Sequence, residues 1–125
     1  MRFLLDTHAL LWWLEGGAEL SDEARAAIES PETTVYVSAA SAWEISIKRA
    51  KGRLDSPSDV ADAIFANDFE ELPIEVEHAQ SVGSLPTHHA DPFDRILIAQ
   101  AQLEGLTIVT RDKMFEAYGV PLLAA

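Results

Sequence analysis

No cysteine occurs among the 125 residues of this chain. That absence removes disulfides, thiolate zinc sites, iron–sulfur clusters and cysteine nucleophiles together. Basic residues are scarce as well: 9 Lys and Arg stand against 21 Asp and Glu, a net charge of −12. Overall charge therefore cannot hold a nucleic acid, and any such contact needs a local basic patch or a metal. Long apolar runs are missing too. No stretch approaches the ~20 residues of a membrane span, and Met1-Arg2-Phe3-Leu4-Leu5-Asp6 meets an acid before a secretory apolar core builds up. A soluble, cytoplasmic protein is expected. The inventory left for chemistry is carboxylates, four His, hydroxyls and Lys/Arg. Hydrophobic residues make up 48% of the chain and charged ones 24%, enough apolar material for one sizeable core. Without repeats, linkers or low-complexity segments, residues 1–125 read as one domain.

The apolar run Phe3-Leu4-Leu5 stops at Asp6, and Thr7 to Leu14 then reads as a helix ending at Gly16-Gly17. Ser21-Asp22-Glu23 supplies a cap and an acidic first turn for a second helix, which ends near Ser30-Pro31. Thr33 to Val37 is β-branched and aromatic, hence a strand. A helix from about Ser38 to Lys51 follows, closed by Gly52, and Ser56-Pro57 starts another that runs to about Asn67. Phe69 to Ile74 is a weak strand, Glu75 to about Gly83 a short helix, and Leu85 to Ala90 a loop. Asp91-Pro92 opens a helix from Phe93 to Glu104 whose Ile96-Leu97-Ile98-Ala99 is apolar nearly all round, as a sandwiched helix requires. Leu106 to Val109 is a buried strand, Met114 to Tyr118 a short helical turn, and Val120 to Leu123 a final edge strand. Short apolar strands alternating with helices predict a parallel sheet of four to five strands covered on both faces.

In such a sheet, ligands bind outside the carboxyl ends of the strands, where the strand order reverses. Asp6 directly follows the first strand, Glu44 lies about one turn into the helix after the second, and Asp112 follows the strand that ends at Val109. Asp94, in the first turn of its helix, can face the same rim. Four converging carboxylates repel one another and raise each other's pKa unless a cation neutralises them. Oxygen ligation without cysteine suits Mg²⁺ or Mn²⁺. Each acid also has a purely structural reading. Asp6 fits a cap of the first helix, Ser41-Ala42-Trp43-Glu44 fits a capping box, Glu44 can pair with Lys48, Asp91 caps ahead of Pro92, Asp94 complements the helix dipole, and Asp112 can cap the turn at Lys113. The weight lies in their joint placement.

Four segments carry a resemblance: Leu4-Leu5-Asp6-Thr7-His8-Ala9-Leu10-Leu11-Trp12, Val37 to Lys48, His88-His89-Ala90-Asp91-Pro92-Phe93-Asp94-Arg95 continuing to Ala101, and Ile108-Val109-Thr110-Arg111-Asp112. In them the chain resembles PIN-domain ribonucleases and, within these, the VapC-type toxins of bacterial toxin–antitoxin pairs. The resemblance implies a Rossmann-like α/β/α sandwich with a mainly parallel sheet, and Mg²⁺- or Mn²⁺-dependent endonucleolytic hydrolysis of RNA that leaves a 5′-phosphate and a 3′-hydroxyl. It also implies metal-binding, catalytic acids at Asp6, Glu44, Asp94 and Asp112, with Asp91 able to share or compete for the role, a cognate antitoxin that blocks the pocket, and a homodimer.

Lys48, Arg49, Lys51 and Arg53 place four of the nine basic residues just beyond Glu44. They are candidates for the RNA backbone, although basic residues in a last helical turn also complement the dipole. Arg111 and Arg95 adjoin proposed ligands and can pair with them or orient phosphate. The adjacent His88-His89 is poor geometry for an acid and a base on opposite sides of a ribose, and reads as a loop element. Trp12 and Trp13 project about 100° apart on one helix, so a wide apolar stripe must bury both or one serves a partner. Two alternatives compete with the nuclease: a receiver-like signalling module with an acidic metal pocket, and a catalytically silent binding module. A receiver wants an adjacent acidic pair after the first strand and a phosphorylatable Asp after a middle one, whereas Asp6 stands alone before Thr7 and no Asp follows Val35-Tyr36-Val37.

Overall fold

Phe3, Leu4 and Leu5 are all buried, as a strand covered on both faces demands. They belong to β1 (Arg2–Leu5), followed in chain order by β2 (Thr34–Ser38), β3 (Glu70–Leu72), β4 (Thr107–Thr110) and β5 (Leu122–Ala124). The computed structural model, which describes residues 1–52 and 59–125, pairs these into a wholly parallel sheet of order β3-β2-β1-β4-β5. Leu4 lies between Tyr36 and Ile108, and Leu5 between Val37 and Val109. The two-residue period then separates two cores. Phe3, Leu5, Val35, Val37 and Val109 pack on one face with Ala9 and Leu10 of α1 (Thr7–Leu14), Ala24 and Ile28 of α2 (Asp22–Glu29) and Ile64 of α4 (Val60–Ala66). Leu4 and Ile108 pack on the other with Leu97, Ile98 and Ala101 of α6 (Pro92–Glu104) and with Phe115 of a 3₁₀ helix over Lys113–Tyr118. The helix α3 (Ala39–Ala50) serves both, through Ile45 and Ala40, and α5 (Val76–Val82) lies against α6.

The expected helices and strands are present with shifts of a residue or two at their ends. Ser38 closes β2 and caps α3, its Oγ accepting from the Ala40 N–H, so strand and helix meet without a linker. Asp91 caps α6, Pro92 occupies its first turn, and Gly105 ends it in the left-handed region at φ 69°, where a side chain would be strained. Five consecutive residues of α6, Leu97 to Ala101, are buried, which agrees with the sandwiched helix read from the sequence. Among the described residues α4 begins at Val60 behind an Asp59 cap; the expected start at Ser56-Pro57, like Arg53, lies outside them. Both Trp12 and Trp13 are half-buried against the first core, the wide-stripe outcome. No helix among the described residues is long and apolar enough to cross a membrane.

From β1 the chain winds out to β2 and β3, then returns across β1 to β4 and β5. The winding reverses beside β1, and a crevice opens there at the carboxyl ends of the strands.

Candidate functional site

Residues from four separate elements reach that crevice. Asp6 leaves the end of β1, its backbone N–H still bonded to the Val109 carbonyl at 3.1 Å. As the cap of α1, its Oδ1 accepts from the Ala9 N–H at 2.8 Å, while Oδ2 accepts from Thr110 Oγ1 at 2.6 Å. The same threonine oxygen accepts the Asp112 N–H at 3.0 Å, so one hydroxyl at the end of β4 joins both acids. Glu44, in the second turn of α3, is also buried. Thr7 Oγ1 donates to its Oε1 at 2.7 Å and Lys48 Nζ to its Oε2 at 2.7 Å.

His89 stands between the other two acids. Its Nε2 lies 3.0 Å from Asp94 Oδ2 and 3.0 Å from Asp112 Oδ2. Its Nδ1 accepts the Asp91 N–H at 3.2 Å, which leaves the ring proton on Nε2, where it donates to Asp112 with Asp94 in close contact. The ring is set edge-on to Phe115, and the His89 backbone N–H donates to Tyr118 Oη at 2.7 Å. Asp91 spends Oδ1 on the Phe93 N–H at 2.8 Å, the cap role, and sits at the foot of the cluster.

Charge is confined here at a cost. Burial pushes the Asp94 carboxyl up to about 7, with the charges of Asp91, Asp6 and Glu44 adding and His89 opposing. Burial likewise raises Asp6 above the usual aspartate range; Asp112 adds to the rise, and the bonds from Thr110 and Ala9 offset part of it. A site whose acids are pushed toward their protonated forms by burial and mutual repulsion is suited to exchange protons for a cation. Among the described residues His89, Asp94 and Asp112 each offer one ligand atom, all within 4.8 Å of one another. The donor chemistry fits a divalent ion of the Mg²⁺ or Mn²⁺ kind. The carboxylate oxygens are the ready donors, because His89 ligates only if its proton moves to Nδ1 and the Asp91 bond is given up.

The family model of the PIN domain matches residues 3–121. The chain belongs to the PIN-domain family. Among solved structures, this PIN domain is similar to VapBC2 from Rickettsia felis bound to a DNA fragment from its promoter, at TM-score 0.73 and 17% identity, covering 98% of each chain. It is similar to DNA-bound VapBC from Salmonella typhimurium at TM-score 0.70 and 18% identity, covering 98% of this chain and 97% of that one. It is also similar to VapBC-5, of the VapBC family of toxin–antitoxin systems, from Mycobacterium tuberculosis at TM-score 0.64 and 21% identity, covering 99% and 98%. A 99-residue stretch is 33% identical to a protein of Xanthomonas oryzae pv. oryzae named 1-deoxy-D-xylulose 5-phosphate reductoisomerase, covering 74% of this chain. The chain spans only about a quarter (24%) of the length of that curated relative.

The basic residues of this PIN domain are placed unevenly. Lys48 is engaged with Glu44, Arg49 is half-buried, and Lys51 is exposed at the end of α3. Arg111, expected to pair with a ligand or orient phosphate, forms no ion pair with an acid among the described residues. Its guanidinium donates to the carbonyls of Ala125 and Glu19 and lies over the Trp12 ring at 4.3 Å, because those acceptors surround it. Arg95 also pairs with no acid among the described residues. It ties down the loop before α6 through the carbonyls of Val82, Leu85, Pro86 and His89 at 2.9–3.3 Å. His89, Thr7 and Thr110 are the site residues that sequence reasoning passed over. The available signals were a histidine two positions before the Asp91 cap, a threonine next to Asp6 and another two positions before Asp112.

Proposed function

We propose that this PIN domain is a metal-dependent endoribonuclease, the toxin of a toxin–antitoxin pair of the VapC type. The observation that carries the reading is the convergence of acids at the point where the sheet reverses, with Asp94 and Asp112 at His89 and the pKa values of Asp94 and Asp6 raised by burial. The fold it shares with solved toxin–antitoxin complexes supports it. Asp94 and Asp112, with Asp6 and Glu44 behind them, would hold Mg²⁺ or Mn²⁺, which supplies a charge for phosphate oxygens and lowers the pKa of a bound water.

The chain's own groups do the rest. Thr110 and the Ala9 N–H fix both oxygens of Asp6, and Thr7 and Lys48 fix both of Glu44, so these carboxylates meet the substrate already oriented. Once ionised, the Asp94 carboxylate has a free lone pair that can accept the proton of an attacking water. The His89 N–H keeps Asp94 and Asp112 in register. Displacement at phosphorus needs position and charge neutralisation more than a covalent nucleophile, which agrees with a site made of acids. Arg49, Lys51 and Arg53 remain candidates for the RNA backbone, with Lys48 shared between Glu44 and that role. In this reading the protein is cytoplasmic, forms a homodimer, and is held inactive by its antitoxin.

The deciding experiment incubates purified protein, free of any antitoxin, with total bacterial RNA in Mg²⁺ or Mn²⁺. Controls contain EDTA, Asp6→Asn, Glu44→Gln or Asp94→Asn. Discrete cuts bearing 5′-phosphates, lost in every control, support the reading. Intact RNA from folded protein overturns it, and aspartyl-phosphate formed from a phosphodonor would favour the receiver-like alternative.

A further inference from the structure

Trp43 is the large aromatic ring left most conspicuously uncovered beside the acids. It is 58% exposed although it sits mid-helix in α3, between the half-buried Ala42 and the buried Glu44. Its ring meets Phe93 of α6 edge-on, at 5.0 Å between centroids and 79° between planes, so its orientation is set. Trp13, by contrast, is half-buried and spends its Nε1–H on Asn67 Oδ1, whereas Trp43 Nε1 has no partner among the described residues. Trp43 directly precedes Glu44, and Phe93 directly precedes Asp94. The aromatic pair therefore joins α3 to α6 at positions next in sequence to two of the acids, with Lys48 and Arg49 further along α3 and Lys51 at its cap.

We propose that Trp43, held by Phe93, is a stacking platform for one unpaired nucleobase next to the scissile phosphate. This deepens the nuclease reading and rests on it. Every base has a flat face, so an exposed indole accepts any of them, and an aromatic beside cations is how single strands are gripped without sequence readout. In a chain of net charge −12, that contact supplies affinity where charge cannot. It also selects single-stranded segments, since a paired base has no free face to offer.

The test uses a labelled single-stranded oligoribonucleotide with abasic positions walked through it. Trp43→Ala is expected to raise KM by about 5- to 100-fold with kcat nearly unchanged, and Trp43→Phe to restore most of the loss. One abasic position should cost the wild type the same factor and cost Trp43→Ala nothing more. An unchanged KM, or penalties that simply multiply, overturns the platform. So does a Trp43→Ala protein whose only change is its sedimentation, which would make the ring a protein contact. If the wild type cleaves no RNA the nuclease reading fails, yet the platform is still decided by fluorescence. Emission present in the wild type and missing from Trp43→Phe should be quenched by the oligonucleotide and not by an abasic strand; absence of quenching overturns it.

Discussion

Thr110 Oγ1 donates to Asp6 Oδ2 at 2.6 Å across 104 positions of sequence, and takes the Asp112 N–H with the same atom. Replacing it with valine keeps the shape and deletes the donor. A hydrogen bond to a charged group contributes about 1.5–3 kcal/mol, so Thr110→Val is expected to raise the Asp6 pKa further and weaken divalent-cation binding by about tenfold or more at neutral pH. Calorimetric titration with Mn²⁺ checks this, and an unchanged affinity would take Asp6 out of the cation site.

Asp94 gives stability a pH slope whose sign follows from its raised pKa. The unfolded chain loses this proton near 3.8, while the folded chain keeps it to about 7. Between those values the folded state binds the extra proton, so stability falls as pH rises through the window. In metal-free protein, Asp94→Asn should remove that slope: equal to wild type near pH 4, and melting several degrees higher at pH 8. Thermal melts at three pH values decide it, and parallel curves would count against a buried, crowded Asp94.

Divalent cation should repair what Asp94 and Asp6 cost. A cation at about 100 times its Kd adds about 2.7 kcal/mol of stability. The shift should grow between pH 6 and pH 8, because Asp94 binds a proton in competition with it. EDTA should reverse the gain. A shift independent of pH would place the binding elsewhere.

Arg95 is expected to matter for the loop more than for the charge balance. Its guanidinium donates to four carbonyls between Val82 and His89. Arg95→Ala takes a donor from all four, while Pro86 keeps Tyr118 and Val82 keeps the Leu85 N–H, and a loss of about 2 kcal/mol is expected. Amide exchange should accelerate first in residues 85–91, loosening His89 from Asp94 and Asp112. Uniform acceleration across the sheet would mean that the arginine braces the whole fold instead.

The fold was legible where local chemistry and burial agree. Phe3-Leu4-Leu5 reads as a strand because both faces are covered, and Asp91-Pro92 with Gly105 brackets α6 by dihedral and cap preferences that act within a turn. The rim positions of Asp6, Glu44, Asp94 and Asp112 follow from the same logic, since a residue just past a parallel strand or just inside the next helix has little choice of end. Side-chain direction was not legible. Arg111 looked available beside Asp112, but its acceptors at Glu19 and Ala125 are remote in sequence. His89 looked like loop, and becomes the bridge between two acids only once β4 and α6 are placed side by side.

The bond from Thr110 to Asp6 also sets an order in time. Asp6 is made 104 residues before Thr110, which lies in the strand that leads to Asp112, and the pairing of that strand with β1 closes a loop of about that length. Contacts of that span form slowly and late. A growing chain therefore has neither the hydroxyl that holds Asp6 nor the acid that completes the pocket, and a fragment ending before β4 should be inert however well its first helices form. For the nuclease proposed above, the distance between two residues in sequence acts as a delay.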